Sequence, residues 1–103
     1  SVQQGKADRG IMICSTGVGS CMVANKVPGV RAALCHDTFS ARKSREHNDA
    51  NVLCLGASVV RRTVAEKVVD IWLRTRFSGE SRHRRRLGKI TRLEARGRAT
   101  RAT

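Results

Sequence analysis

The chain has 103 residues, 40% of them apolar, and a formal net charge of +13. That length holds one small domain rather than two, and with only Phe39, Trp72 and Phe77 as aromatics its core must rest on aliphatic packing. No apolar run is long enough to span a membrane, no signal peptide or lipidation motif stands out, and the four cysteines (14, 21, 35 and 54) form no C-x-x-C, which argues against a zinc ribbon or a secreted disulfide framework and for reduced thiols in the cytoplasm.

Ser1 to Gly10 is a polar lead-in, and a chain that begins with Ser reads as a piece of a longer protein. Ile11-Met12-Ile13-Cys14 has the unbroken apolar character of a buried parallel strand. It runs into Ser15-Thr16-Gly17-Val18-Gly19. A short helix is expected from about Ser20 to Lys26, stopped by Pro28-Gly29. Val30 to Leu34 predicts a second buried strand. Asp37 or Thr38 can cap a helix that runs to about His47. Val52-Leu53-Cys54-Leu55 predicts a third strand, closed by Gly56.

Val60, Val64, Val68, Ile71 and Thr75 then recur at helical spacing. Val59, Val69 and Trp72 widen the stripe, which predicts a helix over roughly Ser58 to Arg76. After Gly79 a polar helix is expected from about Ser81 to Arg96. Residues 97–103 are expected to form a basic disordered tail. Strand and helix alternate throughout, so the fold class is α/β with a parallel sheet covered by helices. Ligands of such folds bind at the carboxyl ends of the strands, where Cys14 and the 15–19 loop lie.

The charge is unevenly placed. From Arg82 to Thr103 there are nine Lys/Arg against Glu94, a local net charge of +8. Such a segment attracts polyanions weakly or is simply solvated. With no aromatic stacking platform and no recognised motif, nucleic acid is not an expected partner.

Several residues could carry chemistry. The Gly17-x-Gly19 loop before a helix lets backbone N–H groups approach an anion, although a ligand-free tight turn has the same spacing. Met22 stands where the dinucleotide-binding fingerprint needs its third glycine. A cysteine after a strand is usually a small core residue. Beside this loop, Cys14 could instead serve as a base, because a helix terminus favours a thiolate. Cys21, Cys35 and Cys54 are assigned to the core. His47 ends a polar helix ahead of Asn48, as a cap or as a general acid/base. His36 and His83 read as surface or helix-capping histidines, and His36-Asp37, following a strand, as part of a turn. Arg82 and Arg86 lie four apart on one helix face and could grip a phosphate, or form part of a solvated basic face.

Taken together, these residues resemble the type B ribose-5-phosphate isomerases of the ribose/galactose isomerase family. The similarity runs from about Ala7 to Ile90. It is dense in Ile11–Gly19, Ala24–Asp37 and Ser44–Gly56, and Ser44-Arg45-Glu46-His47-Asn48-Asp49-Ala50-Asn51-Val52-Leu53 is its most specific segment. The resemblance implies a three-layer αβα sandwich with a Rossmann-like parallel sheet, and a partial isomerase domain over residues 1–96. It also implies a cofactor-free, metal-free interconversion of ribose 5-phosphate and ribulose 5-phosphate through an enediol, in the non-oxidative pentose phosphate pathway. Cys14 would be the base that moves the proton. Thr16, with Ser15, Gly17, Val18 and Gly19, would hold the enediolate. His47 would open the sugar ring, Asn48 would bind substrate, and Arg82 and Arg86 would clamp the phosphate. The partner implied is a second copy, with the site built across the interface.

The chain departs from the family in three places. Ser15 replaces a usual Gly, and Ser58 stands where an Arg is frequent. The resemblance further implies a strand with an Asp-His pair, a helix and a second strand ahead of this region, a segment expected to be missing before Ser1. An open sheet edge and an uncovered apolar face are therefore expected. These departures motivate the competing reading of a non-catalytic remnant that binds sugar phosphate or dimerises.

Overall fold

The computed structural model describes residues 8–102. Residues 1–7 of the polar lead-in and Thr103 of the expected tail lie outside the described residues. In chain order the elements are β1 (Gly10–Cys14), α1 (Val18–Ala24), β2 (Ala32–Leu34), α2 (Thr38–Glu46), β3 (Val52–Gly56), α3 (Arg62–Arg74) and α4 (Ser81–Ala102).

The three strands form one parallel sheet in the order β1-β3-β2. Cys14 pairs with Gly56 across β1 and β3, and Leu34 pairs with Cys54 across β2 and β3. The chain steps from β1 to β2 and then back to β3. Right-handed crossovers in both steps put α1 on one face and α2 on the other. α3 follows α2 onto that second face, where Leu53 and Leu55 pack with Ala41, Val68 and Trp72. The result is the three-layer αβα arrangement. Neighbouring strands β1 and β3 thus send their following helices to opposite faces. The crevice between their carboxyl ends is a topological switch point, the position where such sheets bind ligands.

Central β3 is buried along its whole length, as its unbroken apolar run predicts. Edge strand β1 is not. Ile13 is 67% exposed, and Ile11 and Met12 are also open to solvent. The expectation of a buried first strand is therefore corrected, and among the described residues β1 is an open edge, as expected. An apolar run tells that both faces of a strand are suited to cover. It does not tell that the cover lies in the described residues.

Local chemistry sets the element ends. Asp37 caps α2 by accepting a hydrogen bond from the Ser40 N–H at 2.6 Å. That bond is the main reason the Asp37 carboxyl is held below its ordinary range. α3 starts at Arg62 rather than at Ser58, because the preceding turn is committed elsewhere. Ala57 N–H donates to Cys14 O at 2.7 Å, and Ser58 N–H donates to Ser15 O at 2.8 Å. At the other end of α3, Arg9 donates to the carbonyls of Trp72 and Leu73 at 3.3 and 2.8 Å. Arg9 and Arg45 both lie over the Trp72 ring, at 5.7 and 5.8 Å from its centroid. α4 continues through Gly97 to Ala102, past the expected helix end near Arg96. A glycine costs a helix only about 1 kcal/mol relative to alanine, and Ala95, Arg96 and Arg98 around it are good helix formers. Among the described residues no helix is long and apolar enough to cross a membrane.

Candidate active site

At the carboxyl end of β1 the Cys14 thiol is exposed and donates to Ser20 Oγ at 2.8 Å. Gly17 turns the chain into α1 with φ +80°, the left-handed region that favours glycine. A Cβ on Gly17 would come within 2.6 Å of Leu34 Cδ1. A Cβ on Gly56, next door on β3, would run into the Thr16 backbone. Two glycines therefore let the loop lie flat on the strand ends. Thr16 Oγ1 accepts from Val18 N–H at 3.3 Å, which leaves its own proton to donate. Ser15 Oγ lies 3.1 Å from Ser58 Oγ, so the two departures from the family pattern touch each other. α1 has only seven residues, so its dipole adds little to this loop.

Two of the other thiols are core groups, and the core assignment of Cys21 is corrected. Cys35 and Cys54 are buried. Burial raises the pKa of both, and together with neighbouring Cys21 it pushes Cys54 up to about 12. Cys21 is half-buried, with its Sγ 3.6 Å from the Ala32 carbonyl.

A second cluster lies at the far end of α2. His47 is the C-cap of that helix, and its ring lies over His83, with centroids 4.2 Å apart. Ser78 N–H donates to Glu46 O at 3.0 Å, which ties the chain ahead of α4 to the end of α2. That bond brings the first turns of α4 beside His47. His83 is 2% exposed, and its Nδ1 lies 2.7 Å from Ser78 Oγ. Burial lowers the His83 pKa, aided by His47 and Arg82 and opposed by Glu80. Arg82 Nε meets Glu80 Oε2 at 2.9 Å on the surface, and Arg86 is exposed one turn further on. Asn48, also exposed, helps line a cleft of about 570 Å³ between α4 and the 25–33 segment.

The expected site residues therefore fall into two groups. Cys14, Ser15, Thr16, Gly17, Val18 and Gly19 stand at the carboxyl end of the sheet. His47, Arg82 and Arg86 form a group at the opposite end, with Asn48 beside it. β3 separates them by about 13 Å from Val52 to Gly56, at roughly 3.3 Å per residue. Within one copy the two groups therefore stand apart.

Two histidines gain weight that their sequence context does not carry. His36 Nε2 accepts from the Gly56 N–H at 3.1 Å, under the Thr16 loop. His83 is packed against His47. Neither signal is readable locally, because both depend on which strand or helix lies alongside.

A family model described as Ribose/Galactose Isomerase matches residues 1–90. The structure of ribose-5-phosphate isomerase B from Clostridium thermocellum is 53% identical with a TM-score of 0.90, covering 92% of this chain and 64% of that one. The Mycoplasma genitalium ribose-5-phosphate isomerase B with bound ribulose-5-phosphate is 47% identical with a TM-score of 0.86, covering 91% of this chain and 62% of that one. A D-erythrulose-4-phosphate isomerase from Pectobacterium atrosepticum is 48% identical over 79 residues, covering 77% of this chain and 52% of that protein. The chain thus spans between about half and two thirds of the length of these relatives. These relatives share sugar-phosphate isomerisation but differ in the sugar named. Matched over most of its length by the family model and by solved structures, the chain belongs to the ribose/galactose isomerase family.

Proposed function

We propose that this chain carries the catalytic portion of a cytoplasmic aldose–ketose isomerase that interconverts ribose 5-phosphate and ribulose 5-phosphate. The observation that carries the reading is the exposed Cys14 thiol at the switch point, seated at the head of the Gly17–Gly19 loop. As a thiolate, Cys14 takes the proton from C2 of the open-chain aldose, and the C–H electrons move into the C1 carbonyl to give an enediolate. The Thr16 hydroxyl donates to the developing oxyanion, where an oriented donor counts most. The hydroxyl proton passes from O2 to O1 and the proton on sulfur returns to C1, so that the C2 carbonyl forms and the ketose results. His47, backed by a His83 ring kept neutral by burial, moves the proton that opens the furanose. Arg82 and Arg86 bind the phosphate.

Because the two groups stand at opposite ends of the sheet, the reading requires a second copy. The Cys14 loop of one copy faces the His47, Arg82 and Arg86 group of the other in a homodimer. The test is conversion of ribose 5-phosphate by this chain without added metal, compared with erythrulose 4-phosphate as competing substrate. Faster turnover of the tetrose would reject the pentose assignment.

The open β1 edge and the exposed Ile13 favour a second reading, a sugar-phosphate-binding or dimerisation module without turnover. Saturable binding of ribose 5-phosphate with no ribulose 5-phosphate formed would establish it.

A further inference from the structure

We infer that Ser20 is a positioning residue that tunes the Cys14 thiol by reversing the direction of one hydrogen bond. The inference rests on Cys14 being the isomerase base. In the protonated state the Cys14 thiol donates to Ser20 Oγ at 2.8 Å. The Ser20 hydroxyl in turn donates a hydrogen bond to the Gly17 carbonyl at 3.1 Å. A hydroxyl has one proton but several acceptor directions, and it rotates to suit its neighbours. When Cys14 loses its proton, the Ser20 O–H can turn from Gly17 to the sulfur and donate to the thiolate. The Gly17 carbonyl is not orphaned by this turn, because Cys21 N–H still donates to it at 3.0 Å. The reversal therefore trades a neutral hydrogen bond for a charge-assisted one, which is the stronger kind.

The neighbouring hydroxyls are differently engaged. Thr16 Oγ1 accepts from Val18 N–H, and Ser15 pairs with Ser58. Ser20 is half-buried on the first turn of α1, held by its bond to Gly17 and away from the open rim. Through one catalytic cycle it accepts from the thiol, donates to the thiolate that abstracts the C2 proton, and accepts again once sulfur carries that proton. No atom is gained or lost at Ser20.

The test is the pH profile of iodoacetamide alkylation at Cys14, read by peptide mass spectrometry in this chain, in Ser20→Ala and in Ser20→Thr. The expected result is that Ser20→Ala moves the half-maximal rate to higher pH by about one unit, which is roughly tenfold less thiolate at neutral pH. Ser20→Thr, which keeps the hydroxyl, should restore the parent profile. Buried Cys35 and Cys54 should stay unreactive in all three chains, which reports that each is folded. A Ser20→Ala profile that coincides with the parent overturns the inference. So does a uniform change in rate at every pH, which would mean only altered access to the sulfur. Alkylation reads the thiol and not turnover. A shifted profile in a chain without isomerase activity would sink the isomerase reading and leave the Ser20–Cys14 coupling standing. An unshifted profile in an active isomerase would sink the role of Ser20 alone.

Discussion

His47, the last cap of α2, and His83, in the first turn of α4, hold their rings 4.2 Å apart between centroids. Two imidazolium ions at that distance would repel. The surroundings of His83 reinforce the neutral state, since burial, His47, Arg82 and Arg86 all lower its pKa and only Glu80 opposes them. In the unfolded chain an unhindered histidine takes its proton near pH 6.5. Above that pH both states are neutral at this site, and the packing of His83 is fully stabilising. Below it the unfolded chain binds the extra proton first, so stability falls as pH falls. Thermal melts should give a nearly constant Tm between about pH 7 and 8 and a decline from about pH 6.5 toward 5. His83→Gln should flatten the decline. A variant whose Tm falls as steeply as the parent's would assign the acid sensitivity to other groups.

Replacing Cys14 by Ala removes the proposed base and leaves the loop geometry in place. General acid–base groups contribute about 10² to 10⁴ in rate, and kcat should drop by that order. KM should stay near the parent value, because the lost interaction is made in the transition state. Thr16→Val removes the proposed oxyanion donor at nearly constant volume and should lower kcat by about 10². Steady-state kinetics on ribose 5-phosphate measure both. A rise in KM with kcat intact would make either residue a binding group instead.

The sequence and the fold agree best where local pattern and final environment coincide. β3 is legible because Val52-Leu53-Cys54-Leu55 is apolar and both faces of the strand are covered. β1 has the same pattern and a different outcome, because Ile11, Met12 and Ile13 lie on an edge strand. The start of α3 is not legible, because Val59 and Val60 keep helical spacing while their N–H groups bond Gly56 O in a turn. At the site, Cys14 and its glycines are contiguous and readable. The burial of His83 is set by Ser78 N–H bonding Glu46 O, a contact between segments distant in sequence. Nor does sequence spacing say that α2 carries His47 to the end of the sheet opposite Cys14.

Arg45 illustrates a stabilising residue with no sequence signature. Its side chain is nearly buried and donates to Ala50 O at 2.6 Å, to Asp49 Oδ1 at 3.0 Å and to Thr75 O at 3.1 Å. Truncation removes the Arg45 donor from Ala50 O and Asp49 Oδ1, and leaves Thr75 O only the longer bond from Arg9 at 3.5 Å. Arg45→Ala should cost about 3 kcal/mol or more, measured by urea unfolding. A loss below about 1 kcal/mol would mean that water replaces the guanidinium freely.

The glycines of the loop should respond unequally to the same substitution. Gly17 combines φ +80° with a crowded Cβ position, so Gly17→Ala should destabilise by about 1–3 kcal/mol. Gly56→Ala should be at least as damaging, because its methyl meets Thr16 backbone and not a flexible side chain. Gly19 lies inside α1, and a methyl added there would meet nothing within 4 Å, so Gly19→Ala should be neutral or gain up to about 1 kcal/mol. Denaturant midpoints of the three variants give the order directly. Equal losses at Gly17 and Gly19 would contradict the loop geometry.

The proposed division of the site between two copies makes a prediction that a single-chain site does not. In a two-fold dimer each site would take Cys14 from one copy and His47 from the other. Cys14→Ala and His47→Ala homodimers would each contain two broken sites. Their mixed dimer would contain one site with both defects and one with neither. If equal amounts are unfolded together and reassembled at random, half the dimers are mixed, and about one quarter of the parental sites are restored. Activity should therefore recover to about a quarter of the parent's, from a starting point near zero for either variant alone. If Cys14 and His47 of the same copy served one substrate, mixing would restore nothing, because no reassembled copy would carry both residues.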